Sequence, residues 1–251
     1  MEPRALADYL DRLLEAPLFG DYAPNGLQVE GERPVRRLVT GVTASAALLD
    51  AALADGADAI LVHHGYFWKG EDARITGMKA ARLRRLLRDG ASLFAYHLPL
   101  DAHPELGNNA CLARAFGLEV TGHFETGTAR PLGMVGELPA PEDLEAFTRR
   151  VATALDREPT VVAGGTHPVQ RVAWCSGGGQ GFIDHVAGLG VDLYLSGEIS
   201  EPTVHTAREC GLHYLAAGHH ATERGGVQAL GDHLAAELGV AHRFIDIDSP
   251  A

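Results

Sequence analysis

The sequence predicts an α/β protein whose strands pair largely in parallel. Apolar segments of strand length alternate with helical segments along the 251-residue chain, and this alternation is typical of parallel sheets joined by crossover helices. The second half of the chain repeats the order of elements in the first. We therefore predict an internal duplication, with α/β repeats at 1–125 and 126–251 that face one another in one structural unit.

The first repeat begins with a helix that carries its leucines on one face: Leu6, Leu10, Leu13 and Leu14. The other predicted elements are a turn-rich segment at 22–31, a strand at 35–44, a helix at 45–54, a strand at 57–65, a helix at 78–90 and a strand at 92–103. The helix at 78–90 closes at a glycine, as helix C-termini commonly do. In sheets of this kind, functional groups gather beyond the carboxyl ends of the strands.

The second repeat contains the same kinds of element. They are a strand at 171–179 with a glycine-rich exit, a helix at 182–190, a strand at 191–199, a helix at 201–211, a strand at 212–223, a long helix at 225–239 and a closing strand at 240–248.

The duplication is visible in one pair of segments. Residues 56–64 align with 190–198, and each segment leads through a helix ending at glycine to an apolar strand, a histidine and an acid four positions later. These terminal pairs are His97 with Asp101, and His219 with Glu223. The interval from His64 to His97 is 33 residues and that from Glu198 to His219 is 21, and the difference of twelve matches an insertion at 66–77.

Composition limits the classes of function. Hydrophobic residues make up 46% and charged residues 22%, as in ordinary globular proteins. The net charge of −12 disfavours a broad nucleic-acid footprint, although a local basic groove stays compatible with it. Thirteen histidines hint at metal or acid–base chemistry.

The cysteines and the N-terminus indicate the compartment. Cys111, Cys175 and Cys210 are widely spaced and form no CxxC pair, which argues against a disulfide scaffold or a zinc ribbon. The charged N-terminus lacks the apolar core of a signal peptide, and no apolar run reaches the length of a membrane span. We expect a cytoplasmic protein.

Five side chains form a candidate metal site. His63 and His64 end a predicted strand and point to opposite faces, so they share a site only if the chain bends there or if they serve two neighbouring ions. Asp101 ends a strand in the first repeat, and His219 and Glu223 end the equivalent strand in the second. Imidazole and carboxylate ligands suit Zn, Mn or Fe, and their number fits two ions that activate water. The alternative is that these groups cap strand ends and hydrogen-bond to one another.

Six motifs resemble the NIF-three-like family, whose members are commonly named type-2 homologues of GTP cyclohydrolase I. They are NGLQVEG at 25–31, LVHHGYFWKG at 61–70, YHLPLDAH at 96–103, SGGGQGF at 176–182, SGE at 196–198 and GHHATE at 218–223. The resemblance covers essentially the whole chain, and the length matches the short form of the family.

The resemblance implies intertwined α/β repeats with mixed sheets, a dinuclear metal centre in the cleft between them and a toroidal homohexamer. It places the ligands at His63, His64, Asp101, His219 and Glu223. It places His97 beside the metals, where it either supports the ligands or is catalytic, whereas the repeat symmetry makes His97 the partner of His219 and thus a ligand. We follow the family on this residue.

Other candidates carry open alternatives. Glu198 occupies the position that matches His64 and is a catalytic candidate; it could handle protons, orient a ligand or a water, or cap its strand. The glycine-rich loop at 176–181 could cradle phosphate or serve close packing. Trp68 and Lys69 could form a lid over substrate or pack at a subunit contact. We interpret four other histidines as structural: His103, His205, His213 and His220.

Two functions of different classes fit these features. The first is a hydrolase that uses two divalent ions and acts on a nucleotide such as GTP, a phosphoester or a cyclic amide, with His97 or Glu198 moving protons. The second is a metal-binding assembly protein without turnover, such as a chaperone, regulator or scaffold. Fold and metal site do not select the substrate. No membrane partner is expected, and nucleic acid is disfavoured by the charge.

Overall fold

Helices and strands alternate through most of the structure, a computed structural model that describes residues 1–124, 126–127 and 130–251. The α-helices are α1 (Pro3–Leu13), α2 (Ala46–Ala54), α3 (Gly77–Asp89), α4 (Leu98–Ala102), α5 (Asn108–Phe116), α6 (Leu144–Leu155), α7 (Ile183–Val186), α8 (Glu201–Glu209), α9 (His219–Thr222) and α10 (Arg224–Leu238). The strands are β1 (Gly26–Val29), β2 (Arg37–Thr43), β3 (Ala59–His64), β4 (Ser92–Ala95), β5 (Glu119–Phe124), β6 (Gly133–Glu142), β7 (Thr160–Val162), β8 (Val169–Cys175), β9 (Leu193–Ser196), β10 (His213–Ala216) and β11 (Ala241–Phe244).

The described residues form two units. The first contains 1–107 and 226–248, and the second contains 108–225 and 249–251. Each unit is a group of residues that pack together, whereas each predicted repeat is a stretch of chain whose sequence corresponds to that of the other repeat. The predicted repeat boundary falls at residue 125, which lies outside the described residues, and the repeats stay a prediction.

The first unit is built on a mixed five-stranded sheet with the order β1-β4-β3-β2-β11. Strands β2, β3, β4 and β11 are parallel, and β1 pairs antiparallel with β4. Alternate side chains of the sheet contribute to two separate cores. Residues from α1 and α10 pack in the first core: Leu6, Leu10, Val227, Leu230 and Leu234. Residues from α2 and α3 pack in the second: Leu48, Leu49, Leu83 and Leu86.

A half-buried carboxylate joins the start of β2 to the start of β3 in this unit. Asp58 accepts hydrogen bonds from the backbone N–H groups of Arg36 and Arg37, at 3.0 and 2.9 Å. The Arg37 guanidinium in turn donates to the carbonyl of Asp55. These bonds fix the relative register of the two strands whose far ends approach the candidate site.

The second unit is built on a mixed six-stranded sheet with the order β5-β6-β8-β9-β10-β7. Strands β8, β9 and β10 are parallel, while β6 and β7 run antiparallel to their neighbours. Trp174 and Phe147 are fully buried in its core. Asp192 accepts hydrogen bonds from the N–H groups of Gln170 and Arg171, at 2.9 and 2.7 Å.

Three predicted elements are corrected by the structure. The predicted strand at 92–103 ends at Ala95, and Asp101 lies on α4; Pro99 lacks the N–H that a strand would donate. The predicted strand at 212–223 ends at Ala216, and His219 begins α9, after Gly218 with a φ of 97°. The predicted helix at 182–190 is only the four-residue α7, which follows a short 3-10 turn. Asp101, His219 and Glu223 therefore follow strands through helical turns and do not end the strands themselves.

Two pairings join distant segments. The turn-rich segment at 22–31 contains β1, which pairs with β4. The closing strand, β11, pairs in parallel with β2 in the first unit. In the part of the chain that the structure describes, every helix is too short or too polar to cross a lipid bilayer.

Candidate metal centre

The first unit brings three imidazoles together beyond β3 and β4. His63 and His64 end β3, and His97 follows β4 by two residues. Each ring offers a nitrogen within 4.8 Å of a nitrogen of the other two. The ring centroids of His63 and His64 are 4.6 Å apart, so the two neighbouring side chains lie close together at the end of β3.

Hydrogen bonds fix the orientation of these rings. Nδ1 of His63 donates to the carbonyl oxygen of Tyr96 at 2.9 Å. Nδ1 of His97 donates to the carboxylate of Asp21 at 2.9 Å. Nδ1 of His64 is hydrogen-bonded to the Thr43 hydroxyl at 3.2 Å. In each ring the orienting bond is made through Nδ1, which leaves Nε2 as the nitrogen that could bind a metal.

Asp101 faces this group from α4. Its carboxylate oxygen lies 3.5 Å from Nε2 of His63, and both side chains are buried. Two ligands bound at about 2.0–2.2 Å to one tetrahedral ion are separated by roughly 3.4 Å. The spacing of His63 and Asp101 therefore fits two ligands of one ion.

The second unit carries a matching pair. Nε2 of His219 lies 3.2 Å from the buried carboxylate of Glu223. Nδ1 of His219 donates to the carboxylate of Glu198 at 2.8 Å, and the Gln180 amide donates to the other oxygen of Glu198 at 2.9 Å. The structure thus places Glu198 as the partner that orients His219.

The electrostatics of His219 follow from these contacts. Burial lowers the pKa of its imidazolium, but the carboxylates of Glu223 and Glu198 outweigh burial and raise the pKa to about 9. Two negative groups on one imidazole stabilise a positive charge there. A divalent cation is such a charge, and a bound one would take the place of the proton.

The glycine-rich loop packs against this pair. A Cβ on Gly177 would lie 2.1 Å from a carboxylate oxygen of Glu223 and 3.1 Å from Nε2 of His219. The N–H of Gly177 donates to the Thr222 hydroxyl, and the N–H of Ser176 donates to the side chain of Asn109. These contacts favour close packing as the reason for Gly177. Phosphate binding by the loop stays a prediction.

Aromatic side chains surround His97. The ring of Trp68 meets it edge-on with the centroids 5.1 Å apart, and the ring of Tyr22 does so at 4.9 Å. The Trp68 indole N–H donates to the carbonyl of Gly65, and the N–H of Lys69 donates to the carbonyl of Tyr22. The structure therefore brings Trp68 next to the imidazoles, while Lys69 is exposed.

Sequence reasoning missed Asp21. This carboxylate lies directly before the turn-rich segment, where no periodicity marked it, and its side chain is only 2% exposed. Burial raises its pKa, but hydrogen bonds and the charge of His97, with bonds from Asn25 and Leu98, lower the pKa to about 2. The sequence offered one signal for Asp21: it is an acidic residue in a turn, close to the motif that begins at Asn25.

The histidines interpreted as structural do not join these groups in the described residues. Nδ1 of His213 accepts from the N–H of Gly164, its Nε2 donates to the carbonyl of His167, and burial lowers its pKa. Nδ1 of His103 accepts from two backbone N–H groups. His205 is exposed on α8, and the backbone N–H of His220 donates to the carbonyl of Ala251.

Comparisons with known proteins agree with the motifs. A family model described as Duf34/NIF3 (NGG1p interacting factor 3) matches residues 1–250. A protein from Allochromatium vinosum, named GTP cyclohydrolase 1 type 2 homolog, is 59% identical over 248 residues, which are 99% of this chain and 97% of that protein.

Solved structures show the same mixed α/β fold. One described as protein ybgI, of unknown function, has a TM-score of 0.96 at 52% identity and covers 100% of both chains. TTHA1606 from Thermus thermophilus has a TM-score of 0.91 at 36% identity, again over 100% of both chains. The resemblance predicted from the motifs is confirmed, and the chain belongs to the Duf34/NIF3 family.

Proposed function

We propose that this chain is a hydrolase that depends on two divalent metal ions and acts on a nucleotide or a related small molecule. The ligands are, in the first unit, His63, His64 and Asp101 and, in the second unit, His219 and Glu223. The metal is Zn, Mn or Fe, the borderline ions that imidazole and carboxylate ligands suit.

One observation carries the metal binding. Two of the proposed ligands, His63 and His219, each donate from Nδ1 to an acceptor, the carbonyl oxygen of Tyr96 and the carboxylate of Glu198. Metal-binding histidines almost always make this outer hydrogen bond, because it fixes the ring and its tautomer. Histidines that only cap strand ends have no need for a common orientation. The donor set therefore fits divalent ions.

The remaining residues have distinct tasks. Bound divalent ions supply Lewis-acid activation of water and of the substrate. His97 takes up or gives a proton at Nε2, because Asp21 holds its Nδ1–H. Glu198 positions His219 through Nδ1. Trp68 and Tyr22 restrict the access of water to His97.

The substrate class rests on the relatives. The protein from Allochromatium vinosum carries the name of a GTP cyclohydrolase homologue, which suggests a purine nucleotide and opening of its imidazole ring. The same donor set would serve a phosphoester or another cyclic amide.

We expect Asp101→Asn and Glu223→Gln each to weaken metal binding by more than about 100-fold, since even residues that only orient ligands contribute about 10–100-fold. Metal analysis of the purified protein should give two ions per chain for the wild type and fewer for each variant. Turnover of GTP and of a phosphoester panel should fall in parallel.

Asp50→Asn is the matched control, because Asp50 pairs with Arg85 on the surface. It should retain both ions and full turnover. Fewer than one tightly bound ion per chain, unchanged in Asp101→Asn, contradicts the metal proposal. Full metal content without turnover of any substrate favours the metal-binding assembly protein instead.

We also infer that the chain is internally duplicated. Each sheet contains three successive parallel strands, β2 to β4 or β8 to β10, with an antiparallel strand on the edge next to β4 or β10, and β11 adds a fourth parallel strand to the first sheet. In each unit an aspartate, Asp58 or Asp192, accepts from two successive N–H groups near the start of the first parallel strand. These aspartates occupy matching positions in the aligned segments 56–64 and 190–198. The toroidal homohexamer implied by the family resemblance stays a prediction.

A further inference from the structure

Asp21 makes an unusually complete set of hydrogen bonds for a side chain in a turn. Its Oδ1 accepts from Nδ1 of His97 at 2.9 Å and from the N–H groups of Tyr22 and Ala23 at 2.7 and 3.3 Å. Its Oδ2 accepts from the Asn25 amide and from the N–H of Leu98, both at 3.0 Å. One buried carboxylate thus satisfies five donors.

Two side chains of the segment 21–25, those of Asp21 and Asn25, accept hydrogen bonds from three N–H groups between the end of β4 and the start of α4. Asp21 binds the His97 ring and the N–H of Leu98, and the Asn25 carbonyl oxygen accepts from the N–H of His97 at 2.7 Å. His97 has an unusual backbone conformation here, with φ −95° and ψ −105°. The side chains from 21–25 therefore replace the sheet bonds that the chain gives up after β4.

The same bonds locate Asp101. Leu98 is the first residue of α4, and its N–H has no acceptor within that helix. Asp21 supplies the acceptor from a segment 77 residues away. Because α4 is only one turn long, fixing its first residue also fixes Asp101, which lies 3.5 Å from Nε2 of His63.

We propose that Asp21 is a positioning residue of the candidate metal centre: it holds His97 as the Nδ1–H tautomer, with Nε2 directed to His63 and His64, and it anchors the helix that carries Asp101. The predicted effect of Asp21 on metal binding rests on the proposed function. The tautomer is independent of that function, because the hydrogen bond between Nδ1 of His97 and Asp21 involves no metal.

A purely structural carboxylate would stabilise the turn without controlling His97. Asp58 offers this comparison in the same unit, since it also accepts from two backbone N–H groups but lies at the opposite end of the parallel strands. Asp21→Asn and Asp58→Asn keep the size of the side chain and remove one acceptor oxygen. Both should lower the free energy of unfolding, and only the first should alter His97.

The first measurement is the ring tautomer of His97 in metal-free protein labelled with 15N-histidine, at about pH 8.5, where an ordinary imidazole is neutral. The signal is assigned by its loss in His97→Gln. The wild type should show Nδ1 protonated, Asp21→Asn should show a mixture of tautomers, and Asp58→Asn should match the wild type. A wild-type His97 that carries its proton on Nε2 overturns the inference, whether or not any variant folds.

The second measurement is Mn²⁺ titration of the same proteins. Asp21→Asn should bind Mn²⁺ about 10–100-fold more weakly than the wild type. Asp58→Asn should stay within about twofold, because distant sites act independently. Equal losses in the two variants overturn the positioning role. If the wild type binds neither Mn²⁺ nor Zn²⁺, the proposed function fails, and the tautomer alone decides the role of Asp21.

Discussion

Gly177→Ala is expected to remove metal binding at Glu223 and His219 while leaving the fold of the second unit in place. The added Cβ would lie 2.1 Å from a carboxylate oxygen of Glu223, so this oxygen must move out of its position. Its side chain is only 4% exposed, which leaves little room for the movement. Gly177 also has a φ of 59°, where alanine costs about 1–2 kcal/mol.

We expect the affinity for Mn²⁺ or Zn²⁺ to fall by more than about 100-fold, because the displaced group is a proposed ligand, and residues that only orient ligands already contribute about 10–100-fold. The free energy of unfolding should fall by about 1–2 kcal/mol from the backbone conformation. Metal titration calorimetry and urea denaturation of the metal-free protein measure the two effects separately.

Gly181→Ala is the control in the same loop. A Cβ there meets no atom within 4 Å, and the backbone needs no left-handed conformation. It should bind metal like the wild type and gain up to about 1 kcal/mol of stability from the reduced entropy of the unfolded chain. If Gly177→Ala binds metal as well as Gly181→Ala does, Glu223 is not a ligand.

The elements that the sequence predicted well have strong local signals. The strand that ends in His63 and His64 is a continuous apolar run, and the helix closed by Gly90 has a clear apolar face and a left-handed C-cap. Ser45 caps α2 by accepting from the N–H of Leu48. In such segments the burial pattern and the end signals agree, so the local sequence is sufficient.

The elements that the sequence predicted badly are short or depend on distant partners. Helices α4 and α9 have only five and four residues, too few to show a helical period. The closing strand predicted at 240–248 is present as β11, but its pairing with β2, about two hundred residues earlier, follows from no local pattern. Such segments take their conformation from tertiary contacts.

Some residues of the candidate site could be identified from the sequence, and others could not. His97 and His219 could be found because each follows a strand at matching repeat positions. Asp21 could not, since it contacts His97 across 76 residues and lies in a turn with no repeat counterpart in the alignment. The role of Glu198 also needed coordinates: among the alternatives open from the sequence, its bond to Nδ1 of His219 supports orientation of a ligand.

Metal binding is expected to weaken steeply as the pH falls below about 9, with His219 as a principal cause. A metal needs the neutral imidazole, whereas Glu198 and Glu223, acting against burial, raise the pKa of His219 from 6.5 to about 9 in the metal-free protein. Below this pH one proton must leave His219 when the metal binds. The apparent affinity for the metal therefore falls by up to about tenfold for each pH unit.

The stability of the metal-free protein should respond to the same group in the opposite direction. The folded-state pKa lies above the unfolded value, so the stabilisation by protonated His219 is fully present below about pH 6.5 and is lost as the pH rises through about 9. Added metal should therefore raise the melting temperature more at pH 8 than at pH 6.5. Thermal unfolding with and without Mn²⁺ measures this difference.

Glu198→Gln separates His219 from the other ligands. The amide oxygen still accepts from Nδ1, but its negative charge is gone, so the pKa of His219 should fall toward its ordinary value. Calorimetry in two buffers of different ionisation enthalpy counts the protons released on Zn²⁺ binding at pH 7.5. The wild type should release more protons than Glu198→Gln, and its affinity should depend more steeply on pH. Equal proton release would show that the charge of Glu198 does not set the protonation of His219 on which metal binding depends, and that Glu223 alone maintains it.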